Sequence, residues 1–419
     1  MAGLNIVRHP MFDKYLPKYM EWRRLYEGDD IEANPDFLPR HHMESQVQYD
    51  LRVSRSTYKN YIKPICNVWS SHIWQELPTR IINGESKVED LDNSVITTNG
   101  NINTFFSGVS NESLVSGVQF VYVGYDVKNN MPTFTTVCPE NLVNWGHDED
   151  GLTFVTLFEQ YYTDNGPFEA HILENRYKVI ERDKITVLRE VDSGIEVLEE
   201  IPNDIGVVPI VPFYFNKKFE MIGRSLIADV TGVIKKLFQK ENELDIAEFY
   251  SCISFLFFQG FTEEEIESFI VSQGNAVRSS FTDAKIQYIE PTNKPLDALR
   301  KSIEDLYYAL HEIVLRQLKN KNSMPLSYVR ARLDNQQMET QLSEWSKKLA
   351  DAEKQCWVIA GLYTATDYSN LDITYNNDFS IEEVEAGLIK ALSELVDQGK
   401  FSQEDFDKLM QRWDFKDNK

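Results

Sequence analysis

From Gly223 to Tyr363 the chain carries three helical patterns with a compact insert between the first two, and this stretch constrains the fold most. Leu226, Val230, Val233, Leu237, Leu244 and Ala247 recur at three- and four-residue steps, which predicts a helix over about Arg224–Ser254. The apolar run Phe255-Leu256-Phe257-Phe258 then reads as a strand, and Gly260 as its turn. Thr262 with Glu265 has the spacing of a capping box for a short helix, which Gly274 is placed to end. Lys285–Ile289 reads as the returning strand. A second long helix follows Asn293, with Leu296, Leu299, Ile303, Leu306, Leu310 and Ile313 on one face. The polar loop Lys319-Asn320-Lys321-Asn322-Ser323 and Met324-Pro325 separate it from a third helix. There Met338, Leu342, Trp345, Leu349, Ala352, Cys356, Ile359 and Tyr363 keep a four-three rhythm.

Facing helices of ~25–30 residues reach roughly 40 Å, which sets the insert apart from the main body. A small lobe held on such a stalk makes sense when copies pack side by side and the lobes form one end of a ring. Periodicity alone equally describes an antiparallel helical hairpin with a decorated tip.

The 419 residues are enough for two or three lobes and a sizeable core. Apolar content of 42% with 26% charged residues places the chain among globular rather than disordered proteins. No run approaches the ~18 apolar residues of a membrane span, and Met1–Asn5 does not open a secretory signal. Cys66, Cys138, Cys252 and Cys356 lie far apart and read as buried thiols in a reducing compartment. The net charge of −23 excludes a protein that grips nucleic acid through a large basic block. Any contact with DNA is expected to be weak, along a surface that repels it enough to let it slide. Plain solubility also accounts for such a charge.

Before the helical stretch, residues 1 to about 80 read as helices and loops. His9-Pro10 starts a segment, and Trp22–Gly28 ends a short helix before an acidic turn. Tyr49–Trp74 reads as one amphipathic helix, which Pro64 is placed to kink. Leu91–Ser116 reads as another, leading into the strand Val118–Tyr125. From there to Pro212 the pattern is β, with strands at Phe134–Val137, Val143–Trp145, Thr153–Tyr162, His171–Glu174, Tyr177–Glu181 and Lys184–Arg189. The body is therefore α+β. After Tyr363 come a strand, Asp372–Tyr375, and two helices beginning at Ser380 and Ser402, separated by Gly399. These are not a DNA-reading helix-turn-helix, because Gln403-Glu404-Asp405-Phe406-Asp407-Lys408 offers carboxylates where donors are needed.

No phosphate-binding glycine loop, HExxH or GxSxG motif is present. Asp148, Asp150 and Gly151 fit a hairpin turn better than a calcium loop, since the remaining ligand positions are missing. The adjacent His41-His42 read as a surface loop. The cluster Glu263-Glu264-Glu265 with Glu267 complements a helix dipole more readily than it holds a metal. With no nucleophile beside an identifiable base, the chain is expected to be no enzyme, with no catalytic residues, cofactor or metal. The Lys319–Asn322 loop reads either as a channel lining that touches phosphates transiently or as a solvated connection.

The order of the pieces resembles the portal proteins of tailed bacteriophages. The stretches that carry the resemblance are Tyr58–Tyr61 through Trp74–Pro78, Gly117–Tyr125, and Pro139–Trp145 followed by Gly151–Glu159. Val211–Tyr214 through Gly223–Ser225 and Asp378-Phe379 complete it, so that nearly the whole chain is covered. The resemblance implies a ring, typically a dodecamer, at one capsid vertex, assembled in the host cytoplasm and retained in the virion. It implies a wing over 1–221, stem helices over 222–254 and 294–318, and a strand–helix–strand clip over 255–293. It further implies a tunnel loop over 319–328, a long wing helix over 329–363, and a strand and short helical crown over 364–419. Double-stranded DNA would pass Lys319, Asn320, Lys321 and Asn322 during packaging and ejection. The terminase large subunit and then the head–tail adaptor would dock at the clip, through Glu263, Glu264, Glu267 and Arg278. Major capsid and scaffolding proteins are further expected partners; a membrane is not. The final lobe is shorter than in larger relatives, so no tall crown is expected. Another ring-forming virion protein, an adaptor or scaffold-like ring, stays open, as does a nucleic-acid-processing enzyme with a carboxylate metal site.

Overall fold

The computed structural model describes residues 6–86, 88–98, 100–163, 166–191, 194–251, 255–263, 266, 281–289, 294–315 and 325–377. The chain divides into Met1–Asn376 and Asn377–Lys419, and of the second unit only Asn377 is described. The helices expected at Ser380 and Ser402 therefore lie outside the described residues, as do Asp378-Phe379, Gly274 and Cys252.

Helix α1 (Pro10–Glu27) begins where the His9 ring accepts the Met11 N–H (3.1 Å) and ends at Gly28, whose φ of 83° closes the last turn. The helix expected over Tyr49–Trp74 is two helices, α2 (Gln46–Arg55) and α3 (Ile62–Ile73). Between them, Tyr58 and Asn60 are drawn inward. The Tyr58 hydroxyl donates to Leu25 O (2.9 Å) and the Asn60 amide to Tyr26 O (2.7 Å). The Asn60 carbonyl oxygen then accepts the N–H groups of Ile62 and Lys63, which starts α3. Pro64 falls in the first turn of α3, where its missing N–H costs nothing, and does not kink a longer helix.

Next come β1 (Thr79–Ile82), β2 (Glu85–Ser86), α4 (Val88–Asp92), β3 (Ile96–Thr97) and α5 (Ile102–Ser116). The expected helix over Leu91–Ser116 is thus interrupted. Asp92 accepts from Ile102 N–H (2.8 Å) and Asn101 from Thr104 N–H (2.8 Å), so α5 receives its own start.

The β region comprises β4 (Val118–Asp126), β5 (Met131–Val137), β6 (Leu142–Asp148), β7 (Gly151–Thr163), β8 (Ile172–Glu181), β9 (Lys184–Val191), β10 (Gly194–Pro202) and β11 (Ile210–Tyr214). A small hairpin, β12 (Lys217–Phe219) and β13 (Ile222–Gly223), follows. Strands β10-β9-β8-β7-β6 form an antiparallel meander, and β11-β4-β5-β3 a second sheet in which only β3 runs parallel to its neighbour. The segments expected as separate strands at His171–Glu174 and Tyr177–Glu181 are one continuous strand. Gly194–Pro202 escapes the alternation rule because its register shifts between Val197 and Glu199. The turn between β6 and β7 pairs Asp148 with Gly151, and both Asp148 carboxylate oxygens accept from Arg182 at 2.7 Å. It is a hairpin turn whose carboxylate is already occupied.

The chain closes with α6 (Thr231–Ser251), β14 (Phe255–Gln259), β15 (Lys285–Ile289), α7 (Lys294–Leu315), α8 (Pro325–Thr364) and β16 (Leu371–Thr374), the last pairing with β1. Helices α5 and α8 both pack on the second sheet. Phe105 and Phe106 from α5 and Trp357 from α8 meet at Phe134, all buried. In α8 the buried stripe includes Leu342, Trp345, Leu349, Ala352 and Cys356, then drifts to Trp357 and Ala360, leaving Ile359 half-buried. A four-three rhythm repeats every 3.5 residues while a straight helix turns every 3.6, so the drift follows from geometry.

Candidate interaction surface

The helical pair α6 and α7, with the hairpin it carries, is built from the root outward. At the root two glycine backbones cross. A Cβ on Gly117 would lie 2.3 Å from the Arg224 carbonyl carbon, and one on Gly223 would lie 2.2 Å from that of Gly117. Gly117 has φ 82° as the residue ending α5, so both its conformation and the close approach require glycine. Ser225 fastens the same point: its hydroxyl donates to Leu114 O (3.2 Å) and accepts the Ile227 N–H (3.1 Å). A 3₁₀ turn, Leu226–Asp229, follows before α6 begins. The helix therefore starts several residues later than the expected Arg224, because Ser225 caps a tighter turn first.

Along α6 the N-terminal helices grip in sequence. Glu21 pairs with Lys235 (2.8 Å), Phe37 O accepts from Gln239 (2.8 Å), and the Tyr58 ring meets Phe238 edge-on at 5.8 Å. Lys59 reaches Glu241 (2.7 Å), and Arg55 reaches Asp245 (3.3 Å) and lies 4.3 Å from the centre of the Phe249 ring. Helix α7 joins the same cluster through Tyr307, whose hydroxyl donates to Glu241 and lies 2.6 Å from that of Tyr61. Burial and the Glu241 carboxylate push the Tyr307 hydroxyl well above its ordinary range. The bond to Glu241 also raises the Lys59 ammonium. These contacts correct the expectation of a free stalk of roughly 40 Å. The 21 residues of α6 span about 32 Å, and the body lies beside them as far as Phe249.

The pair itself is zipped by α7. Leu296, Ile303 and Leu310 are buried at seven-residue steps, and Leu299 and Leu306 between them are half-buried. This heptad seam is the expected apolar face, except that Ile313 is exposed. Beyond it β14 and β15 pair in register from Phe255–Ile289 to Gln259–Lys285. Gly260 turns the chain with φ 73°, and the Ile266 N–H bonds Thr262 O at helical spacing (3.1 Å). Phe257 and Phe281 expose 42% and 57% of their surfaces.

Of the expected partner-docking residues, Glu263 is exposed at the start of this helical turn. Glu264, Glu267 and Arg278 lie outside the described residues, and so do Lys319, Asn320, Lys321 and Asn322. Among the described residues no group of three or more His, Cys, Asp and Glu could hold a metal, and no helix is long and apolar enough to cross a membrane. His41 and His42 are exposed in a loop. Cys66 and Cys356 are buried and unpaired, and burial pushes the Cys66 thiol up to about 12. Sequence reasoning missed the Lys59–Glu241–Tyr61–Tyr307 cluster. The only signal for it was the apolar–polar mixture of Tyr58-Lys59-Asn60-Tyr61, which reads equally as helix surface.

No family model and no curated relative matches the chain. Among solved structures, it is similar to a chain in the neck of an empty GTA particle computed with C6 symmetry, at 9% identity and a TM-score of 0.41. That alignment covers 95% of this chain and 92% of the other. A chain of the virion of a native gene transfer agent particle aligns at 10% identity and a TM-score of 0.38, covering 91% and 89%. A chain in the neck of the native GTA particle computed with C12 symmetry aligns at 10% identity and 0.39, covering 81% and 85%.

Proposed function

We propose that this chain is a non-enzymatic subunit of a portal-like ring, a dodecamer at one vertex of a tailed-phage-type capsid. Double-stranded DNA passes through the ring during packaging and ejection. The observation that carries this reading is the helical pair: it is pinned at a glycine crossing, braced along α6, and ends in a hairpin with exposed aromatic rings. A subunit surrounding a pore needs such an element, since it presents the same docking surface from every copy at one end of the ring. In this reading 222–254 and 294–318 are the stem, and 255–293 is the clip that meets the terminase large subunit and then the head–tail adaptor. Residues 319–328 face the DNA, the remainder supplies wing and crown, and the ring contacts major capsid and scaffolding proteins. The net charge of −23 suits the role, because a negative wall does not trap a polyanion and a few lysines damp local repulsion.

Two variants test it in a packaging assay. Lys319→Ala with Lys321→Ala is expected to leave assembly unchanged and to alter packaging or DNA retention. Deleting Thr262–Gly274 is expected to spare the body and abolish terminase docking. Normal packaging and retention in the first, or normal docking in the second, removes the assignment concerned.

A further inference from the structure

The five-stranded sheet ends in two unlike edges. At one, β10 is exposed along nearly its whole length and carries Glu196, Glu199 and Glu200 beside the exposed Val197, Leu198 and Ile201. Glu196 is held by Arg189 (2.9 Å). Glu199 and Glu200 have no ion-pair partner among the described residues, and the outer backbone groups of β10 face no further strand.

The opposite edge, β6, is covered. The His9 N–H bonds Val143 O (2.9 Å), the His9 ring stacks on Trp145 at 3.9 Å, and His147 lies 3.5 Å from Glu220 beside the β12–β13 hairpin. This cover brings α1 and β12 together through Tyr15 and Phe219, whose ring centres are 6.4 Å apart. Lys18 and Lys218 both lie over the Tyr15 ring, at 5.1 and 5.4 Å. Lys14 stands one turn from Lys18 on the exposed side of α1. Nearby Lys217 is paired with Glu220 (2.5 Å), Asp13 with Arg8 (3.8 Å) and Glu21 with Lys235 (2.8 Å). Lys14, Lys18 and Lys218 have no carboxylate partner among the described residues. In a chain of net charge −23 this is a local reversal of sign, with Phe219 exposed at its centre.

We propose that these lysines receive the β10 edge of a second copy of the chain. Glu199 and Glu200 of one copy face Lys14, Lys18 and Lys218 of the next, and its exposed Val197, Leu198 and Ile201 cover Phe219. The inference rests on the ring reading and names the contact that closes the ring. Two features select this occupant. The complementary patches lie at opposite edges of one sheet, ~19 Å apart at ordinary strand spacing, which is what a head-to-tail contact requires to propagate around a ring. A phosphate backbone would also leave the exposed Phe219 uncovered, whereas β10 presents apolar side chains along with its carboxylates. Because His9 already occupies Val143 O, the contact is made by side chains and not by continuing the sheet at that point.

Sedimentation velocity of the full-length protein tests it. Lys14→Glu/Lys18→Glu/Lys218→Glu and, separately, Glu199→Lys/Glu200→Lys are each expected to weaken assembly at least about tenfold, and combining all five to restore it. Thermal unfolding of each variant checks that it folds; where the triple reversal does not, Lys14→Ala/Lys18→Ala/Lys218→Ala replaces it with the same expected direction. Wild-type assembly by either charge-altered variant, or no recovery in a folded five-fold variant, overturns this docking while leaving the ring in place. Loss of binding to a DNA duplex in the lysine variant with unchanged assembly likewise overturns it and gives the patch to nucleic acid. A wild type that never associates overturns both the contact and the ring.

Discussion

Arg80 in β1 and Glu353 in α8 meet with neither side chain exposed to solvent. The guanidinium donates to both carboxylate oxygens, at 2.6 and 3.3 Å, and to Asn103 (2.7 Å). Glu353 also accepts from the Tyr375 hydroxyl (2.6 Å) and the Trp357 ring N–H (3.2 Å). A buried pair of this kind adds little over apolar packing, but removing one partner strands a charge. Arg80→Ala is therefore expected to cost about 3–5 kcal/mol, read from denaturant midpoints, and Arg80→Met with Glu353→Gln much less. A loss below about 1 kcal/mol in Arg80→Ala would contradict this. The tyrosines set the alkaline limit. Burial pushes Tyr122 up to about 12 and, with Glu353 beside it, holds Tyr375 well above its ordinary 10.0. The unfolded chain gives up these protons first, so stability is full below about pH 10 and falls as pH rises through the folded values. Midpoints at neutral pH and about pH 11 should differ in that direction; equal midpoints would refute it.

At the scale of elements, the glycine crossing decides where the helical pair leaves the body. Gly117→Ala meets the Arg224 backbone and a left-handed φ together, and is expected to destabilise by about 2–4 kcal/mol. Gly232, inside α6 with nothing within 4 Å of an added Cβ, is the control: alanine there should be neutral or stabilising by up to about 1 kcal/mol. Equal effects on the urea midpoint would contradict the crossing as the anchor. The periodic elements were legible in the sequence, because the seam of α7 and the strands β14 and β15 are written in local spacing. What was not legible depends on distant partners. Arg80 and Glu353 are 273 residues apart, and nothing near either announces the other. The break between α2 and α3 turns on Tyr58 and Asn60 bonding to the end of α1, a choice that an amphipathic pattern cannot express. The brace along α6 was missed for the same reason: its cations and carboxylates look like ordinary surface charge until the fold pairs them. The expected docking and channel residues, apart from Glu263, fall outside the described residues, so the sequence remains their whole basis.

At the scale of the molecule, the proposed role requires copies of the chain to surround a pore. The acidic balance opposes close packing of like-charged subunits, and in the proposed ring the lysines around Tyr15 offset it locally. The most direct test is native mass spectrometry of the purified full-length chain, with electron micrographs of the same sample. A ring of this subunit is expected to give a closed assembly whose mass is a whole multiple of 48.7 kDa, with a central opening in end-on views. A single 48.7 kDa species at every concentration, or an open aggregate with no central opening, would contradict it.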